Sequence, residues 1–297
     1  MTNTRSLFFL AACAAMLTYA PALSAQSVTR PGAIIATGLD NPRGIAISPN
    51  GSLYVVEAGR GAEATGTTPT CIPDPAPPNG LRCYGLTGGI TEIDLKRGTN
   101  PVRLVNNLPS LAENGGGDAI GPAHVSFQGN KAYVTIGWGG DPANRQLQLQ
   151  TLGKVFGHTI TVTPNGKWSL DADVAAFEGA ANPDQAAPDS DPFGIVAAPG
   201  RQIVADAGAN AVFQIDANGK ITTVAAFDKR GVTPPPFIPG LPNPFPMESV
   251  PTSVAFAANG DLFIGELTGF PYRLGSARVW RVVIERGGQR ISAVFGG

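Results

Sequence analysis

Three acidic residues recur at one place in a repeated frame: Glu57, Asp206 and Glu266 each close an apolar strand. Asn41, Asp118 and Asp191 stand near the turns that open such frames. Carboxylates and amides drawn from several chain segments are the oxygen donors that a hard cation such as Ca2+ takes. These six residues are therefore candidates for a metal site or a binding face. The same residue types also have a purely structural use, because an acid at a strand end accepts N–H groups of the following turn. Asp206-Ala207-Gly208-Ala209-Asn210 has the composition of such a turn. His124, at the start of an apolar strand, is a candidate general base. No nucleophile is recognisably paired with it: the chain contains neither a Gly-x-Ser-x-Gly elbow nor a His-Glu-x-x-His pair. No catalytic residue is assigned beyond that candidate. His158 heads another strand and reads as a turn or surface residue. The acidic stretch from Asp184 to Asp191 lacks the spacing of a Ca2+-binding EF-hand loop and reads as a solvated entry loop. Each Gly-Lys pair lacks the Ser or Thr of a phosphate-binding loop.

Those residues need a scaffold, and the chain supplies it by repetition. The frame runs from Pro through an apolar strand, a Pro/Asn/Gly turn and a second apolar strand. Asn41-Pro42-Arg43-Gly44 opens the first copy, which ends at Glu57. Pro122 to Ile136, Pro192 to Asp206 and Pro251 to Glu266 are the other copies. Two further strand-like segments follow each hairpin; those after the second copy are His158–Val162 and Trp168–Phe177. Four strands per unit, repeated without helical periodicity, predict an all-β fold: a β-propeller of four-stranded blades. The four units span about 34–109, 116–178, 188–228 and 247–297. Antiparallel strands then put the Pro turns, the terminal acids and the longest insertions on one face, the expected binding face. The proline-rich segments Pro234–Phe237 and Phe245–Met247 read as partner-docking stretches or as covers for apolar edges.

Composition bounds the function. Residues 1–25 read as an export signal, with Arg5, an apolar run and small residues at Ala20, Ala22, Ser24 and Ala25. Leu10-Ala11-Ala12-Cys13 offers a second reading as a lipoprotein box. Residues 26–297 are then the mature domain, secreted or periplasmic, with no membrane segment after cleavage. Without Arg5 the chain carries 20 basic against 22 acidic side chains, which gives no reason to expect nucleic acid. Gly 38 and Pro 27 agree with many short strands and tight turns. Cys71 and Cys83, the two cysteines outside the leader, predict a local disulfide in an oxidising compartment.

Asn41-Pro42-Arg43-Gly44, Tyr133–Gly137 with Gly140-Asp141-Pro142, Val204–Gly208 and Gly265–Pro271 resemble the ScyD/ScyE family of exported propellers. The likeness runs from about Ile34 to Gly297. It implies a six-bladed propeller, of which this chain holds about four blades; four blades suit either a tight closed propeller or an open arc, and the arc, with an exposed sheet edge suited to self-association, is the expectation. The expected function is a binding or scaffold protein, with a small molecule or a protein on the long-loop face. The alternative is a divalent-metal-dependent propeller hydrolase or lactonase, with Ca2+ as the candidate cofactor.

Overall fold

The prolines that open each repeat begin the innermost strand of a four-stranded unit. In the computed structural model, which describes residues 32–62, 70–74, 80–96, 101–285 and 288–295, these units are antiparallel sheets arranged as propeller blades. Residues 36–297 form one packed unit. In the first blade β1 (Pro42–Ile47) pairs with β2 (Leu53–Glu57), and β2 with the long β4 (Leu81–Ile93). Both β3 (Cys71–Pro73) and β5 (Pro101–Ala112) also pair with β4. Cys71 lies directly opposite Cys83 in the β3–β4 ladder, and the expected disulfide is present.

The second blade comprises β6 (Pro122–Gln128), β7 (Lys131–Ile136), β8 (His158–Val162) and β9 (Trp168–Asp173). The third is β10 (Pro192–Ala198), β11 (Arg201–Asp206), β12 (Ala211–Asp216) and β13 (Ile221–Ala226). A short ribbon of β14 (Arg230–Val232) and β15 (Phe245–Met247) precedes the fourth blade. That blade is β16 (Ser249–Phe256), β17 (Leu262–Thr268), β18 (Arg278–Glu285) and β19 (Gly288–Phe295).

Each innermost strand carries the same irregularity. The register slips between Pro42 and Ile45, Pro122 and His124, Pro192 and Gly194, and Pro251 and Ser253. The proline has no N–H to donate to the ladder, so a bulge forms beside it. In the first three blades the residue after the proline, Arg43, Ala123 or Phe193, faces a shared cavity. Glycine permits the close approach of neighbouring inner strands: a Cβ on Gly44 would lie 2.7 Å from His124 Cα, and one on Gly194 would lie 2.6 Å from Thr252 O. Blade-to-blade bonds reinforce this contact, with Thr135 Oγ1 donating to Phe193 O at 2.6 Å and Ala197 N–H to Ser126 Oγ at 2.9 Å.

Apolar clusters fill the spaces between successive blades. One joins Tyr54 and Ile90 to Val125 and Val134. A second joins Tyr133 and Val174 to Ile195 and Phe213, and a third joins Ile203 and Val212 to Ile264 and Val282. Fully burying one such side chain contributes about 1.5–3 kcal/mol. Consequently β1 packs on β6, β6 on β10, and β10 on β16. No matching packing joins β16 back to β1 among the described residues.

Five expectations need correction. The chain is not free of helix: α1 (Asn144–Leu149) and a 3-10 turn (Gln150–Val155) lie between β7 and β8, and α2 (Val174–Ala181) follows β9. The strand expected over Trp168–Phe177 therefore ends at Asp173, whose carboxylate accepts the Ala176 N–H at 2.9 Å and caps α2. His158 is buried rather than at the surface, held between Phe156 O and Asp173, with Arg145 alongside. The stretch Asp184–Asp191 is not simply solvated: Ser190 is buried, and Asp189 Oδ1 is enclosed. Phe237 stays exposed and covers no apolar edge, whereas Phe245 stacks edge-on against Phe270 and Met247 is buried. The leader over residues 1–25, including Cys13, lies outside the described residues. No helix among the described residues is long and apolar enough to cross a membrane.

Candidate functional site

A cavity of ≈ 350 Å³ opens where the innermost strands begin and the second strands end. All four blades line it. The bulged position after the entry prolines of the first three blades contributes Arg43, Ala123 and Phe193. The β4 segment adds Arg82, and the turn before β6 adds Asp118. The loops entering the third and fourth blades add Asp189, Asp191 and Glu248.

The charges are arranged in opposition. Arg43 Nη2 donates to Ala119 O at 2.6 Å, which fixes the guanidinium at the rim. Arg82 is almost fully buried and pairs with Asp74 at 3.0 Å and with Asp118. Asp191 accepts the Trp138 N–H at 3.1 Å. Its carboxylate fits only because position 137 is glycine: a Cβ there would lie 2.4 Å from Asp191 Oδ1. Burial pushes the Asp191 carboxyl up, against the pull of Trp138 N–H, Arg43 and Arg82. Burial, then the neighbouring charges of Asp191 and Glu248, push Asp189 up to about 6. The cavity thus offers two guanidiniums as donors and carboxyls that are reluctant to ionise.

Of the six metal or binding-face candidates, the structure brings Asp118 and Asp191 into this cavity and leaves four outside its lining. Glu57 is enclosed and accepts from Asp40 N–H and Thr91 Oγ1, both at 2.6 Å, with Arg103 at 3.1 Å. Asp206 accepts from Ser190 Oγ and Asp191 N–H at 2.6 Å and from Ala209 N–H at 3.1 Å. Glu266 pairs with Arg230 and accepts the Trp280 indole N–H. Asn41, in a left-handed conformation at φ 53, ties Gly59 O and Gly116 O together through Nδ2. These four side chains brace the loops around the mouth. Among the described residues, no group of three or more His, Cys, Asp or Glu side chains is placed to hold a metal ion.

His124 lies beneath Gly44 and does not line the cavity. Its Nδ1 is buried without a hydrogen-bond partner, and burial holds its pKa below the usual imidazole range. Arg43, Arg82, Asp189 and Glu248 were not singled out from sequence. Arg43 had a legible signal, since it occupies the position after the entry proline in the repeat. Arg82, Asp189 and Glu248 lie outside the repeated frame and carried none.

No family model matches the chain, and no curated protein matches it. Solved propeller-type structures align along most of its length. Virginiamycin B lyase from Staphylococcus aureus is 14% identical with a TM-score of 0.36, covering 86% of this chain and 84% of that one. A putative oxidoreductase (glucose dehydrogenase) from Thermus thermophilus is 17% identical with a TM-score of 0.41, covering 89% and 86%. A gluconolactonase from Xanthomonas campestris is 13% identical with a TM-score of 0.36, covering 87% and 74%. At these values the likeness says nothing about activity.

Proposed function

We propose that this chain is a binding protein of the exported-propeller type, as the ScyD/ScyE resemblance implies, and that it takes a small polar ligand at the four-blade cavity. The observation that supports this is the convergence of Arg43, Arg82, Asp118 and Asp191 on one concave site that has no nucleophile–base pair. Guanidinium donors opposite carboxyl groups suit a ligand bearing both acceptors and hydroxyl or amino donors. Calorimetric titration with a panel of sugars, polyols and zwitterionic amino acids tests this. At least one member should bind, and Asp191→Asn together with Arg43→Met should weaken it at least about 10-fold, the loss of one to two charged hydrogen bonds. Equal binding by wild type and the double variant would reject the cavity as the site.

The carboxyls raised by burial favour a second reading, hydrolysis of a lactone or ester, because a carboxyl that keeps its proton can act as a general acid. The cation-dependent form of that reading calls on acids from several blades, and Glu57, Asp206 and Glu266 are taken up by protein donors instead. Lactone turnover that Asp191→Asn abolishes would displace the binding reading.

A scaffold role has its own physical support. Val125 and Phe127, Ile195 and Ala197, and Val254 and Phe256 occupy equivalent positions on β6, β10 and β16. Val125 and Phe127, Ile195, and Val254 and Phe256 all pack into the clusters shared with the preceding blade. Their counterparts on β1, Ile45 and Ile47, are 60% and 57% exposed. A second copy of the chain covers this face most economically, because it continues an interface the molecule already builds between blades. Light scattering should show a concentration-dependent dimer that Ile45→Glu with Ile47→Glu returns to monomer. A wild-type chain that stays monomeric at high concentration would refute this.

A further inference from the structure

The end of α2, the loop after it and the turn at Asn210 gather buried oxygen atoms that few protein donors reach. Glu178 is 0% exposed, and its carboxylate oxygens have no donor in close hydrogen-bonding geometry, the Asp189 N–H being the one backbone donor that bears on them. Asn182 Oδ1, Asp189 Oδ1 and Asn210 Oδ1 are likewise buried and unpartnered. These five atoms belong to one stretch of chain and the turn packed on it. Asn182 N–H donates to Glu178 O at 2.7 Å, at the left-handed end of α2. Asn210 Nδ2 donates to Asp184 Oδ2 at 2.9 Å, and a Cβ on Gly208 would lie 2.7 Å from Asp189 Oδ1.

The two amides cannot be turned round to supply donors. Asn182 Nδ2 is committed to Ala186 O at 2.8 Å, and Asn210 Nδ2 is committed to Asp184. Their free ends are therefore oxygens. Asp184 has both oxygens engaged, by Ala186 N–H at 2.9 Å and by Asn210, so it holds the loop in shape. The charges that bear on Glu178 are those of Asp184 and Asp189, both negative. A buried carboxylate with so little donation and no cation is costly, and the Asn182 and Asn210 side-chain oxygens have no protein donor.

We infer that Glu178, Asn182, Asp189 and Asn210 form a binding site for a hard divalent cation, with Ca2+ favoured over Mg2+. Carboxylate and amide oxygens in an irregular loop match the flexible oxygen shell of Ca2+, whereas Mg2+ demands a strict octahedron and retains water. The site is separate from the strand-end acids Glu57, Asp206 and Glu266. It borders the cavity through Asp189 and braces the loop that carries Asp191 into it.

The test uses the full chain, stripped with EDTA and titrated with CaCl2 alone. One Ca2+ per chain should bind in calorimetry. The melting temperature should rise by at least about 4 °C at saturation, with MgCl2 giving a smaller shift. Glu178→Gln should abolish the Ca2+ response yet melt higher than wild type in EDTA at pH 8, where Glu178 is ionised and its buried charge has no cation. Asn210→Asp should keep the response. Absence of a Ca2+-dependent shift in wild type, or an unchanged response in Glu178→Gln, would overturn the inference.

Discussion

Glu57→Ala is expected to lower the unfolding free energy by about 3–5 kcal/mol, the penalty for breaking a buried, hydrogen-bonded ion pair. Glu57 ends β2 with 0% exposure. Its carboxylate holds the entry turn through Asp40 N–H and the next strand through Thr91 Oγ1, and it pairs with Arg103. Alanine leaves Asp40 N–H and Thr91 Oγ1 without their acceptor, each at a desolvation cost, and leaves Arg103 only its longer contact to Asp40 at 3.4 Å. Glu57→Gln should cost less, because an amide oxygen still accepts one or two of those bonds. Urea denaturation measures both. The loss should be the same in Ca2+ and in EDTA, since Glu57 is held by protein donors. A Glu57→Ala loss below about 1 kcal/mol would show that the network does not support the fold, and a loss confined to Ca2+-containing buffer would return Glu57 to the list of cation ligands.

Stability should also fall as pH rises from about 5 to 8, and Asp206 should account for much of the slope. Burial raises the Asp206 carboxyl from 3.8 to about 7, against the pull of Ser190, Asp191 N–H and Ala209 N–H. The folded chain therefore binds a proton between those values that the unfolded chain has released. The unfolded state binds fewer protons there, so the unfolding free energy drops with pH until about 7. The full span is worth about 4 kcal/mol at most. His124 and His158 act in the opposite sense: burial lowers both, so their contribution is lost as pH falls through the histidine range. Comparing Asp206→Asn with wild type isolates the carboxyl, because asparagine keeps an acceptor for Asp191 N–H without titrating. The gap between melting temperatures in EDTA at pH 5 and pH 8 should shrink in the variant, the remainder coming from Glu178, Asp189 and Asp191, which burial also raises. A wild-type melting temperature that climbs with pH would contradict the assignment.

Both predictions concern residues whose position was legible but whose use was not. The spacing from entry proline to terminal acid marked Glu57, Asp206 and Glu266 as equivalents. Spacing alone left two uses open, cation ligand and turn acceptor, and the partners of each acid come from other segments. Asp40, Thr91 and Arg103 meet Glu57 from three places in the chain. Arg230 reaches Glu266 from a ribbon outside the blades.

By itself the sequence determined most of the strands, their four-fold repetition and the Cys71–Cys83 pairing. These depend on local chemistry: alternation, Pro-opened frames with Asn-Gly turns, and two thiols twelve positions apart. Tertiary structure alone decided which side chains share the cavity, because Arg43, Arg82, Asp118 and Asp191 are brought together only when blades pack. It also decided the fate of the segment from Trp168 to Asp191. That stretch reads as strand and solvated loop, yet the Asp173 cap starts α2, and the helix carries Glu178 inside among Asn182, Asp189 and Asn210. Burial creates that site's need for a partner charge. Burial is a property of the packed chain, so no local pattern of residues announced it.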